Sequence, residues 1–220
     1  MSDMGSTAPK RQTRTDFGAN GAREVVAFDF DGTLTTHDSF TAFLKWRAGP
    51  AGWAAGMIRL VPAALAWLSH RDRGRIKAAA VRAFLGGVDR PRLEADADRY
   101  AEAVWSGFMR PDALACWNDW GVKGAHRVIV TASPEITVAP FARRLGADNL
   151  LGTHMTFDAE DRVTGAFTGS NCRGEEKVRR LKAAYGEDVR IVAAYGDTSG
   201  DAEMLAAAEQ PGFQVFTAGP

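Results

Sequence analysis

Four aspartates, a threonine and a lysine are the residues of this 220-residue chain whose types and spacing could do chemistry together. Asp29 and Asp31 stand two apart in Asp29-Phe30-Asp31-Gly32-Thr33, directly after a short apolar run. Asp197 and Asp201 follow another such run. Carboxylates gathered without thiolates make an oxygen-rich site that suits a hard cation. Mg²⁺ prefers one or two carboxylates, completed by waters and phosphate oxygens. A bound cation also lowers the cost of crowding acids together. Thr131 and Lys177 add a hydroxyl donor and a positive charge, which an anionic substrate needs. The plainer alternative is that Asp29 and Asp31 cap a loop, as Asp often does. Gly196-Asp197 after a strand is common turn chemistry too.

These residues need elements to position them. Glu24–Phe28 is short and β-branched, as expected of a buried strand, and Asp29-Phe30-Asp31-Gly32 ends it. From Asp38 to about Gly121 the pattern is helical, with breaks expected at Gly49-Pro50, Gly86-Gly87 and Arg110-Pro111. A second buried strand is expected over His126–Thr131. Ser133-Pro134-Glu135 predicts an N-cap followed by proline in the first turn of a helix. Asn149–Met155 and Arg162–Phe167 read as shorter strands around a turn. Glu175–Tyr185 reads as a helix, Val189–Tyr195 as a third buried strand, and a further helix starts near Asp201. Phe213–Thr217 reads as an edge strand. The order describes an α/β fold, a Rossmann-like doubly wound parallel sheet with helices inserted after its first strand. Ligands bind such sheets at the carboxyl ends of the strands. Asp29/Asp31, Thr131 and Asp197 occupy three such ends and converge only if those strands are neighbours.

Composition adds bounds rather than chemistry. Basic and acidic residues balance at 27 each, so nothing global points to nucleic acid. Cys116 and Cys172 are the two cysteines, without metal-ligand spacing, and read as packing residues in a reducing, cytoplasmic setting. Residues 1–22 are polar, lack an apolar leader core, and read as a disordered tail.

Asp29-Phe30-Asp31-Gly32-Thr33-Leu34 resembles the first motif of the haloacid dehalogenase superfamily of phosphotransferases. Val128-Ile129-Val130-Thr131 is similar to the second, Lys177 to the third, and Gly196-Asp197-Thr198-Ser199-Gly200-Asp201 to the fourth. The resemblance implies a core of residues 23–36 and 122–220, with residues 37–121 as a helical cap like that of phosphoserine phosphatase-like members. It implies that Asp29 attacks phosphorus to form an aspartyl-phosphate, and that Asp31 is the general acid and base. Thr131 and Lys177 would hold the phosphoryl oxygens. Mg²⁺ would be held by Asp29, Asp197 and the main-chain carbonyl of Asp31, with Asp201 in support. Arg173 is either a second phosphate contact or a solvated charge at a helix start. Dehalogenases of the superfamily lack an acid at the second position, so Asp31 favours phosphate chemistry. Transfer of the phosphoryl group to an alcohol, and a catalytically silent binding module, are the alternative functions.

The resemblance implies a phosphate ester as substrate. Phosphoserine phosphatases carry two glycines after the second motif and a glutamate after the first, where this chain has Ala132-Ser133 and Asp38. The segments His37-Asp38-Ser39-Phe40, Ser133-Pro134 and Asn171–Val178 are similar instead to phosphatidylglycerophosphatase C and its bacterial relatives. Residues 48–68 contain Arg59 as their one charge, and Arg71, Arg73, Arg75 and Lys77 follow. Two readings arise. One is a packed cap helix with Trp53, Met57, Leu60, Val61, Leu65 and Leu68 on its buried stripe. The other is peripheral contact with an anionic membrane, with the basic run against lipid phosphates.

Overall fold

The computed structural model describes residues 24–70 and 73–220, and side chains except those of 67–70 and 73. The tail expected over 1–22 therefore lies outside the described residues. So do Arg71 and the side chain of Arg73.

Six strands form one sheet: β1 (Glu24–Phe28), β2 (Arg127–Pro134), β3 (Asn149–Phe157), β4 (Val163–Thr168), β5 (Arg190–Gly196) and β6 (Ala208–Phe213). Their order is β4-β3-β2-β1-β5-β6. All neighbours pair in parallel except β3 and β4, which form an antiparallel hairpin. β1 lies at the centre, between β2 and β5. Phe28 pairs with Ile129 on one side and Tyr195 on the other, so Asp29 emerges from β1 level with Val130 and Gly196. Runs such as Val25-Val26-Ala27-Phe28 are apolar at every position because helices cover both faces.

The inserted helices begin at Ser39, eight positions after Asp31: α1 (Ser39–His70), α2 (Arg73–Leu85), α3 (Arg90–Phe108) and α4 (Pro111–Val122). The breaks at Gly86-Gly87 and Arg110-Pro111 fall between helices. The break expected at Gly49-Pro50 is present too: Gly49, at φ +65°, leaves the helical conformation and divides α1 into two helical segments across a kink. The insertion returns where it left: Thr36 and Arg110 amides donate to the Phe108 and Leu34 carbonyls, at 2.9 Å each. Insertion and sheet share one apolar cluster, with Phe43, Leu85, Leu93, Tyr100 and Trp117 packed with Phe28 and Ile129. The opposite face packs α6 (Glu175–Tyr185) and α7 (Ala202–Ala206) through Leu181 and Met204 against Val25, Val128 and Ile191.

Three local expectations need correction. The last strand is Ala208–Phe213, and residues 214–217 lie beyond it: this segment gains its hydrogen bonds from β5, which no local propensity reports. Helix α5 (Glu135–Leu145) has Pro134 rather than Ser133 as its N-cap, because β2 runs on through Pro134. The inner stripe of α1 is Trp53, Gly56, Leu60 and Ala63, whereas Met57, Val61 and Leu65 are exposed beside Ile58. Gly56 sets that choice. Phe84 of α2 lies so close that a Cβ on Gly56 would come within 2.0 Å of its ring. The same ring stacks on Trp53 with centroids 4.9 Å apart.

Candidate active site

The register of the neighbouring strands brings the acids together. Asp29 follows β1, and its amide donates to the Tyr195 carbonyl of β5 at 2.8 Å. The chain then turns through Phe30–Leu34, where Gly32 takes φ +81°. A side chain there would be strained, and its Cβ would lie 2.1 Å from Asp197 Oδ2. This glycine lets the turn after β1 approach the loop after β5.

Lys177 connects the acids. Its ammonium donates to Asp29 Oδ1 at 2.5 Å, Asp201 Oδ1 at 2.6 Å and the Val130 carbonyl at 2.6 Å. These three bonds use all its donors, which is how a lysine only 1% exposed retains its charge. Burial works against that charge, but Asp29 and Asp201 outweigh it and hold the lysine above its ordinary range. Asp201 stays well ionised: burial raises its carboxyl, Lys177 and the Thr198 donors lower it further, and the net shift is downward. Burial dominates at Asp29, pushing its carboxyl up to about 7 against the pull of Lys177.

Asp31 has a different setting. Its Oδ1 accepts from the Ser39 amide at 2.6 Å, and its Oδ2 from Ser133 Oγ at 2.5 Å. Thr131 Oγ1 donates to the same Oδ2 at 3.4 Å and accepts from the Ser133 amide at 3.0 Å. Burial, with Asp38 nearby, raises the Asp31 carboxyl. Two neighbouring carboxyls thus stand in separate environments, one beside a buried ammonium and the other among hydroxyl and amide donors.

A cation would have a place. Asp29, Asp197 and Asp201 each offer an oxygen, all within 4.8 Å of one another. Asp197 Oδ1 is buried with no hydrogen-bond partner among the described residues, an orphan that a metal ion would satisfy. The all-oxygen donor set fits a hard divalent cation. The Asp31 carboxylate is outside this group.

The acids open into a cavity of about 290 Å³. Asp29, Asp31, Lys177, Asp201 and Arg173 line it, as does Ser133, which the sequence reading gave no site role. Thr131 is wholly buried. Lys77 also lines the cavity, and its Nζ donates to the Ala132 carbonyl at 2.8 Å. Its placement in a lipid-facing basic run is thereby corrected: α2 turns this lysine inward, while Arg75 two residues earlier is exposed. The signal was present in the helical spacing, since Lys77, Val81 and Phe84 share an α2 face whose inward members are apolar. Asp38 Oδ1 accepts from the Thr41 amide at 2.6 Å, helping to start α1. Burial pushes the Cys172 thiol up to about 11, away from any reactive thiolate.

Comparisons with known proteins bear on the fold and the family. Protein CicA of Caulobacter vibrioides is 56% identical over 196 residues, which are 89% of this chain and 88% of that protein. Among solved structures, a protein of unknown function from Bordetella pertussis Tohama I superposes with a TM-score of 0.70 at 22% identity, covering 84% of this chain and 87% of its own. A phospho-aspartyl intermediate analogue of phosphoserine phosphatase superposes with a TM-score of 0.56 at 17% identity, covering 85% and 84%. These likenesses show the fold. The family description "haloacid dehalogenase-like hydrolase" matches residues 26–206, and the chain belongs to that family.

Proposed function

We propose that the chain is a Mg²⁺-dependent phosphomonoesterase working through an aspartyl-phosphate on Asp29. The observation that carries the reading is the pairing of buried, lysine-bound Asp29 with separately held Asp31 at the floor of one cavity. An Asp29 oxygen forms the bond to phosphorus as the bond to the leaving oxygen breaks, splitting a hard displacement into two steps. Asp31, whose carboxyl is raised by burial, gives a proton to the leaving alkoxide. It then takes a proton from the water that attacks phosphorus and frees Asp29 with release of inorganic phosphate. Thr131 and Lys177 would offset phosphoryl charge. Asp29 and Asp197, with the carbonyl of Asp31, would hold Mg²⁺, and Asp201 would support them through Lys177. When bound, the cation draws charge from the phosphoryl oxygens and favours ionised Asp29. Residues 37–121 act as the cap.

Asp29→Asn replaces the nucleophile with an amide and is expected to abolish phosphate release, while Asp31→Asn lowers turnover about 10²–10⁴-fold. Phosphate release from a generic ester with Mg²⁺, and after EDTA, measures both. Near-normal activity in Asp29→Asn would overturn the mechanism.

The outer face of α1 favours a second reading, in which the phosphate ester is presented at an anionic membrane surface. Ile58 is 73% exposed and Leu65 62%, an uncommon concentration on one helix. Such a lipid phosphate would resemble the substrate of phosphatidylglycerophosphatase C. Contact would be peripheral, since among the described residues no helix is long and apolar enough to cross a membrane.

A further inference from the structure

Two cations line the cavity without a hydrogen bond to its acids. Lys77 extends from inserted helix α2, half-buried, and its one hydrogen bond to a described residue goes to the neutral carbonyl of Ala132. An ammonium has three donors, so two remain for a ligand or water. Burial lowers its affinity for a proton, and Asp31 and Asp38 partly restore it. Arg173 precedes α6 on the core, and its Nη2 donates to Ser199 Oγ at 2.9 Å. Among the described residues neither cation forms an ion pair with a carboxylate. Asp29 and Asp201 already have Lys177, so catalysis by these acids does not require Lys77 or Arg173 for charge balance. A half-buried lysine without a carboxylate partner is a costly arrangement, and an arriving anion would relieve it.

We propose that Lys77 and Arg173 form a second anion-binding subsite, which selects phosphate esters whose leaving group carries its own negative charge. The inference rests on the phosphatase reading and names its substrate class. The shared chemistry is an anionic oxygen group on the leaving side, either a carboxylate or a phosphodiester. Because Lys77 belongs to the insertion and Arg173 to the core, the second anion ties the two parts together over the reacting phosphoryl group. Asp38, also on the cavity wall, disfavours anions on its own side and leaves the two cations as their place.

Three probes separate the possibilities: phenyl phosphate, with a neutral leaving group; 3-phosphoglycerate, with a carboxylate; and a soluble short-chain glycerophosphodiester carrying a terminal phosphate. Wild type is expected to favour one charged ester over phenyl phosphate by about tenfold or more in kcat/KM. Lys77→Met and Arg173→Met should each raise KM for that ester about 10–100-fold, with a several-fold smaller effect on phenyl phosphate, and Lys77→Arg should recover part of the loss. Whichever charged probe is preferred identifies the anion. Equal losses on all three probes would place the cations on the scissile phosphoryl group and overturn the subsite, as would a wild-type preference for phenyl phosphate. If no probe releases phosphate, the phosphatase reading fails by itself. Calorimetric binding of the two charged probes to Asp29→Asn, with and without Lys77→Met, still decides the subsite: equal affinities in the two proteins would refute it. Unchanged unfolding midpoints show that the variants fold.

Discussion

The acid site and the outer face of α1 lie at opposite extremes of how strongly a region is determined by its surroundings. At the strand ends three of the four carboxylates have partners: Asp29 and Asp201 in Lys177, Asp31 in Ser39 and Ser133. On α1, Met57, Ile58, Val61 and Leu65 point outward, and the helix is held mainly along the stripe that meets Phe84. Burial makes errors expensive at the first region, because an unpaired charge in low dielectric has nowhere to go. Solvent makes the second tolerant. The proposed chemistry thus rests on the over-determined region, and the proposed membrane contact on a helix whose outer face the fold does not use.

Three experiments test that contrast. The largest effect is expected for Lys177→Met, which leaves two buried carboxylates unpaired and costs about 3–5 kcal/mol. Denaturant unfolding measures it, and a loss below about 1 kcal/mol would show that the acid site is looser than its hydrogen bonds imply. Gly32→Ala comes next. Its Cβ has no room beside Asp197 and its φ of +81° is unfavourable, so a loss of about 1–3 kcal/mol is expected together with weaker Mg²⁺ binding. Calorimetric titration of Mg²⁺ checks the second part; unaltered binding would separate the turn from the metal loop. The smallest stability change belongs to Ile58→Ser/Val61→Ser/Leu65→Ser, expected at under about 0.5 kcal/mol per position. The same variant should lose flotation with anionic vesicles at low salt. Equal flotation of variant and wild type, or none by wild type, would remove the membrane reading and leave the outer face of α1 without that role.

Asp29, Asp31, Asp197 and Lys177 were legible because spacing alone placed them at strand ends or on a helix start. Short apolar runs report buried strands, and the following Asp-Gly chemistry reports where each run stops. Residues whose roles depend on a distant partner were harder to read. Ser133 looked like a helix cap, yet β2 carries it toward Asp31. Lys77 looked like one charge in a basic run, yet α2 packs so that it meets the Ala132 carbonyl. The strand at 208–213 contains Pro211 and Gly212, poor strand formers, and exists through its pairing with β5.

The amino-acid sequence by itself determined the α/β alternation, the insertion after the first strand and the set of acids, since period, length and turn residues are local properties. Only the tertiary structure decided that β1 lies between β2 and β5, which puts the acids within a few ångströms of one another. It also decided which α1 face is buried, because Gly56 leaves room for Phe84, and which cations face the cavity. Strand order, helix rotation and charge pairing are set by contacts between segments far apart in the chain. Burial then makes those contacts decisive: it turns a hydrogen bond of modest net value into the difference between a held carboxylate and an orphaned one.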